Sequence, residues 1–274
     1  MCKSQSKIIT IQNEIFEAID EAFNAMAQID YNSYVLFLGR ADMIPGLKQH
    51  QGTDCVIDYN LDKFYDETRA QFYIRYLRRN YDKDGFAYKG DSGIDDMHIE
   101  LMIYSHLWDS SDFIKSLIRI ASVVSGKGYI WQVGIDWKDK DKFMARNIIE
   151  PLQEHGLKLG NLVGRYYDSS VRNAFAHSLY YIDAEQRSIT VRPRKGMKTL
   201  TFDEFQSLFL YSVILMNKME NVIAFNHDEA AKLNTAITNV FTTPDGLRVQ
   251  VFGKMVKRGN YLFPTFSMTR ILND

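Results

Sequence analysis

Apolar residues recur every three or four positions near the start of the chain, at Ile8, Ile11, Ile15, Ile19, Phe23 and Met26, and this period predicts an amphipathic helix. The run Tyr34 to Leu38 is apolar throughout and fits either a strand or a buried helical turn, and Pro45 and Gly46 punctuate the segment after it. Asn60 is placed to cap a further helix reaching about Tyr81, with Leu61, Phe64, Phe72 and Leu77 inward and Arg69, Arg75, Arg78 and Arg79 outward. A stretch rich in Gly and Asp, Asp82 to Asp96, breaks the pattern. Beyond it the spacing predicts one helix from Met97 to Trp108. A second is capped by Asp109 or Ser110, carries Phe113, Leu117, Ala121 and Val124, and stops at Gly126 and Gly128. So short a joint leads us to expect antiparallel packing of the two.

The aromatic segment Tyr129 to Trp137 reads as an irregular connection, and helical spacing resumes from Lys140 to His155, bounded or kinked by Pro151. Residues Leu157 to Ser178 read as helix with an interruption between Gly164 and Asp168. The segments Leu179 to Ile182 and Ser188 to Val191 flank a polar turn and predict a hairpin. Thr201-Phe-Asp-Glu204 is a capping box that opens a helix with Phe205, Leu208, Ser212, Leu215 and Met219 on one stripe. Asn226 and Glu229 repeat that signal for a separate helix reaching Val240. Arg248 to Val256 and Tyr261 to Met268 then form a second hairpin across Lys257 to Asn260. The expected fold is mainly α, with small α/β additions at both ends.

A chain of 274 residues, 46% hydrophobic and 24% charged, can bury a substantial core. Its formal charge of -1 excludes a broadly basic surface, so contact with nucleic acid needs a local cluster of Lys and Arg. Cys2 and Cys55 are too few for a disulfide framework or a thiolate zinc site. The first residues lack the apolar run of a signal peptide, and no stretch approaches about 18 uninterrupted apolar residues. A cytoplasmic protein with no membrane partner and no cofactor is expected.

Chemistry concentrates in Arg172-Asn-Ala-Phe-Ala-His177, where a permanently charged phosphate binder precedes a side chain able to exchange protons near neutral pH. On a regular helix Arg172 and His177 stand about 140° apart, whereas Asn173 and His177 share a face. Either the helix ends before His177, or two copies of it pool their side chains across a symmetric contact. A structural reading stays open beside this one: Arg172 pairs with Asp168 one turn back, and His177 caps the helix C-terminus.

The same hexamer, with a helix before it and a hairpin and capped helix after it, resembles the signature of the HEPN superfamily, helical domains named for higher-eukaryote and prokaryote nucleotide binding. That signature is Arg, four to six residues, then His, with a polar residue often directly after the Arg, the place of Asn173 here. The resemblance covers roughly residues 95 to 225 and implies an antiparallel HEPN-type helical bundle. Residues 1–94 then form an N-terminal extension, and 226–274 a C-terminal helix and hairpin packed on the bundle.

Many members of the superfamily are metal-independent endoribonucleases that act as homodimers, in phage defence or in toxin-antitoxin pairs. The resemblance therefore implies RNA as partner, with an antitoxin or regulatory protein as a further one. By similarity Arg172 neutralises the scissile phosphate, His177 assists the ribose 2′-hydroxyl or the leaving oxygen, and Asn173 orients the ring or holds a phosphate oxygen. Other members are non-catalytic modules for nucleotide or RNA binding or for assembly. Some carry a modifiable Tyr two residues past the His; here that place is Leu179, followed by Tyr180 and Tyr181.

Arg187, Arg192, Arg194, Lys195 and Lys198 crowd the hairpin downstream, where they can guide RNA phosphates or simply face solvent. Asp91, Asp95, Asp96, His98 and Glu100 raise a metal hypothesis, but acids where a helix begins complement its dipole, and that reading is preferred. No metal site is expected. No Gly-rich phosphate loop, Gly-x-Ser-x-Gly elbow or His-Glu-x-x-His helix occurs in the chain.

Overall fold

The first amphipathic stripe folds as a long helix, α1 (Lys3–Ile29), whose Ile11, Ile15, Ile19, Phe23 and Met26 are all buried. The structure is a computed structural model that describes residues 3–43, 55–56, 69, 71–76, 94–192, 196–233, 236–242, 248–258 and 261–270. The ambiguous apolar run is helical: α2 (Tyr31–Leu38) opens on Asp30, whose carboxylate accepts from the Ser33 amide at 3.0 Å. A two-residue antiparallel bridge pairs β1 (Asp42–Met43) with β2 (Cys55–Val56).

Residues 69 and 71–76 are helical, and the rest of the helix expected over 60–81 lies outside the described residues. Of the residues expected inward, only Phe72 is among those described, and it is not buried. Tyr73 and Tyr76 are buried, and Tyr76 meets Phe209 edge-on, while Phe72 is 39% exposed. Arg75 points outward as expected.

The next two helices are α3 (Ile94–Leu107) and α4 (Ser111–Val124), the latter with Ser110 at its N-cap and Gly126 and Gly128 in left-handed conformation beyond its end. They do not lie along one another. Trp108 in their joint is fully buried against Phe113 and Tyr167 and donates to Ser212 Oγ at 3.1 Å. From that wedge α3 turns onto the later helices, while α4 runs against α1 and α2. The expected antiparallel pair is thus replaced by two helices that diverge around a tryptophan.

Pro151 acts upstream of itself. The helix resumes as α5 (Lys140–Met144), widens into a π-helical turn (Ala145–Ile149) in which the Glu150 amide reaches Ala145 O, and continues as α6 (Glu150–Glu154). Proline lacks the amide that would bond residue 147 and its ring crowds that carbonyl, so the backbone widens before the ring. Helix α7 (Lys158–Tyr166) presses on α6 so closely that a Cβ at Gly160 would stand 2.8 Å from Leu152 Cβ.

The motif helix α8 (Ser169–Ala176) follows, then an antiparallel sheet of β3 (Tyr180–Asp183), β4 (Ser188–Val191) and β5 (Lys198–Thr201). The expected hairpin is present as β3 and β4, and a third strand covers its other edge. All of β4 is buried, as suits a central strand. The capping box forms as read: the Thr201 amide donates to Glu204 at 2.7 Å, and the Glu204 amide to Thr201 Oγ1 at 3.2 Å.

From there one helix, α9 (Phe202–Lys232), runs through the position where a second was expected to start. Asn226 does not cap; its side chain donates back to Val222 O at 3.0 Å, and the helix passes on. The helix expected to reach Val240 ends at Lys232, and Ala236–Thr242 is strand β6, because Ile237, Thr238, Val240 and Thr242 are β-branched and favour an extended backbone. Strand β6 pairs with β7 (Arg248–Arg258), which pairs with β8 (Tyr261–Arg270), so the expected C-terminal hairpin is part of a three-stranded sheet. The Thr238 amide ties this sheet to Asn32 of α2 at 3.0 Å.

The structure is mainly helical with small antiparallel sheets. The core is continuous: side chains of α1 and α2 pack with those of α3, α4, α7 and α9 in one cluster. Each fully buried Leu, Ile or Phe contributes roughly 1.5–3 kcal/mol relative to exposure. Arg40 enters this interior paired with Asp112 of α4 at 2.6 Å and with Glu220 of α9, which answers the cost of burying its charge. Within α9 the segment Phe202–Ala230 has the length and apolar content to cross a membrane, and half of its window is buried inside the protein.

Candidate functional site

Helix α8 is positioned through its backbone. The hydroxyl of the fully buried Tyr104 donates to Tyr166 O at 2.8 Å and accepts from the Asp168 amide at 2.7 Å, satisfying both sides of the break between α7 and α8. Asp168 then caps α8, accepting from the Val171 amide at 3.1 Å. Ser105 Oγ donates to Arg172 O at 2.9 Å, fixing the middle of the helix to α3. The interruption read from the sequence is therefore real, and a tyrosine from another helix holds it.

The C-terminal end is also fixed. His177 is the C-cap residue, Ser178 takes a left-handed φ of 54°, and the Leu179 and Ser178 amides return to Ala174 O and Phe175 O at 2.8 and 3.1 Å. This is a Schellman turn with serine where glycine is commonest, at a cost of about 1 kcal/mol. It folds the following sheet back along α8. The ladder β3–β4 continues one step further, the Arg192 amide donating to Leu179 O at 2.9 Å, so Arg192 is brought opposite Leu179 and next to the helix end.

These constraints open a cleft of about 540 Å³ between α8 and the start of α5. Arg172, Asn173, His177 and Arg192 line it together with Trp137, Lys140, Asp141, Ser169 and Ser170. Among the sequence-derived candidates, the motif triplet and Arg192 converge. Lys198 pairs with Asp168 instead, and Arg187 lies over the Phe202 ring at 5.2 Å from a left-handed turn position. Arg194 and Lys195 lie outside the described residues.

Arg172 does not pair with Asp168. Its Nε donates to Asp109 Oδ1 at 3.0 Å, its Nη2 donates to the same oxygen, and its Nη1 donates to Asn173 Oδ1 at 2.6 Å. The i,i+4 bridge is replaced because Asp168 is already engaged as cap and as partner of Lys198. His177 is exposed, and among the described residues no hydrogen bond orients its ring. Its amide donates to Asn173 O at 3.1 Å, so the two stand one turn apart on the cleft side as the helical spacing predicts.

Sequence reasoning missed two residues of this site. Asp109 was legible only as a helix cap; it is instead the acceptor for Arg172. Lys140 was legible only as a helix start, yet it is 4% exposed and its Nζ donates to Asp109 Oδ1 at 2.8 Å and to Trp108 O, with the Trp137 ring 4.4 Å away. Burial pushes the Lys140 ammonium down to about 8, against the upward pull of its bond to Asp109 and with a smaller downward push from Arg172. A lysine following acid and tryptophan in an irregular segment carries no sequence mark of burial. On the far wall, Asp141 accepts from Tyr167 Oη at 3.1 Å, and burial with that acid pushes the phenol well above its usual range.

The carboxylate-rich segment behaves as a helix start. Asp95 and Asp96 occupy the first turn of α3, His98 Nδ1 bonds the Tyr180 hydroxyl at 2.7 Å, and Glu100 is buried; Asp91 lies outside the described residues. Among the described residues no group of three His, Cys, Asp or Glu side chains could hold a metal ion. Comparison with family models, curated proteins and solved structures finds no match to this chain.

Proposed function

We propose that this protein is a HEPN-type endoribonuclease that works as a homodimer and cuts RNA without a metal, in phage defence or under the restraint of an antitoxin. The observation that supports this reading is the convergence of Arg172, Asn173, His177 and Arg192 on one open cleft. Arg172 supplies guanidinium hydrogen bonds to a phosphate oxygen as negative charge grows on it. One His177 imidazole takes the proton of the 2′-hydroxyl as that oxygen attacks phosphorus. The His177 of a second copy protonates the departing 5′-oxygen, so charge and protons balance. The products are a 2′,3′-cyclic phosphate and a 5′-hydroxyl.

A second reading is favoured by the unoriented ring of His177 and by the engagement of Arg172 with Asp109: a module that binds RNA or nucleotide without cutting it. Purified protein incubated with RNA in excess chelator separates the two. Cleavage leaving 2′,3′-cyclic phosphate ends, absent when the RNA carries 2′-deoxyribose throughout, is the expected result. Binding without cleavage would select the second reading.

A further inference from the structure

An arginine held by a carboxylate makes a neutral pair, and a neutral pair is a weak binder of phosphate. The cleft contains more than that pair. Asp109 Oδ1 accepts from Arg172 and from Lys140, so two cations share one carboxylate and the group carries one net positive charge. Lys140 is 3% exposed at its side chain, and Arg172 16%. Asp109 is 29% exposed, so the group is partly buried, and there a surplus charge is screened less than it would be in bulk water.

We infer that Lys140 supplies the surplus charge that lets this cleft hold a phosphodiester, and that Asp109 is the joint through which Lys140 positions Arg172. The inference rests on reading the cleft as an RNA site, and it adds a positioning residue that the motif does not contain. Geometry carries it: the lysine reaches the site from α5, the carboxylate from the α3–α4 joint and the guanidinium from α8, and the three meet at one oxygen.

The depressed ammonium makes binding depend on pH. Lys140 faces Asp109 and Arg172 across the joint and Asp141 on its own helix, and burial outweighs the two acids. Above about 8 it loses its proton, the Asp109 centre becomes neutral, and the cleft, still lined by Arg192, attracts an anion less strongly. The affinity for a phosphodiester then falls as pH rises, by up to about tenfold per pH unit.

The test measures binding of a 2′-O-methyl oligoadenylate, which has no free 2′-hydroxyl and no base that titrates in this range. The protein carries His177→Ala, which removes the imidazole of the site. From about pH 7 to 9.5 the affinity of this parent should fall, while the added change Lys140→Arg should leave it flat, because a guanidinium keeps its charge. Lys140→Met should bind on the order of tenfold more weakly at pH 7 and show no further fall.

A flat profile in the parent, an identical fall in Lys140→Arg, or no binding at any pH would overturn the inference. The parent and Lys140→Arg profiles decide it even where Lys140→Met fails to fold. Failure here is distinct from failure of the nuclease reading. Cleavage by the unmodified protein with a flat binding profile removes the role of Lys140 alone, and pH-dependent binding without cleavage removes the nuclease alone.

Discussion

Helices α4 and α8 are both short and both periodic, yet they serve opposite ends. Every residue of α4 except Ser111 and Lys115 is buried, including Asp112 and Arg119, so its side chains belong to the core. Helix α8 buries only Val171 and Ala174, and it is held by its ends and its backbone, through Tyr104, Ser105, Asp168 and the turn at Ser178. A helix fixed in that way leaves its other side chains available for chemistry. A helix fixed by packing does not.

The comparison breaks most severely on the core side. Leu117 is fully buried on α4, and Leu117→Ala should cost about 2–5 kcal/mol, read from the denaturant midpoint. A loss below about 0.5 kcal/mol, the range of a surface change, would remove α4 from its structural role.

Lys140 stands where the two regions meet, and its linkage has a definite sign. Its pKa is lowered from 10.5 to about 8, so between those values the unfolded chain binds a proton that the folded chain does not, and stability rises with pH across that window. The cost of the buried charge is fully present below about 8. Unfolding of wild type and Lys140→Met from pH 8 to 10.5 should show wild type gaining on the variant by up to ~3 kcal/mol. A constant difference would show that the lysine is not depressed.

Asp109→Asn should separate positioning from attraction. The centre gains net charge, so KM for RNA should hold or fall, while a loosened guanidinium should lower kcat on the order of tenfold. Equal damage to both would point to a misfolded joint. The smallest effects sharpen the contrast within the basic set. Arg192→Ala should weaken RNA binding severalfold and reduce its salt slope by about one charge, whereas Arg187→Ala, lying over Phe202, should leave both unchanged. Salt titrations of the two variants compare them directly.

Much of the helical framework was legible because period 3.6 survives in α1, α4 and α9, and because the capping box at Thr201 is a local signal. The break before α8 was legible from the same kind of local chemistry. Tertiary choices were not. Asn226 is a capping residue type, yet helix propagation through packed turns outweighs one side chain; the β-branched residues of β6 become strand where β7 offers them an edge. The divergence of α3 and α4 depends on a tryptophan whose partners lie on α4, on α9 and in the connection between α7 and α8.

The candidate site divides along the same line. Arg172, Asn173 and His177 stand out because their spacing is local. Asp109 and Lys140 come from positions 63 and 32 residues before Arg172, and only folding brings their side chains to it. Arg192 entered as one cation among five, and the register that places it opposite Leu179 is what distinguishes it.

The most direct test measures the RNA cleavage rate and the melting temperature of His177→Ala side by side with wild type. Because His177 is exposed at a helix end, stability should stay within about 0.5 kcal/mol, while cleavage should fall roughly 10² to 10⁴-fold. Unchanged cleavage in a folded variant would contradict the assignment of chemistry to this cleft.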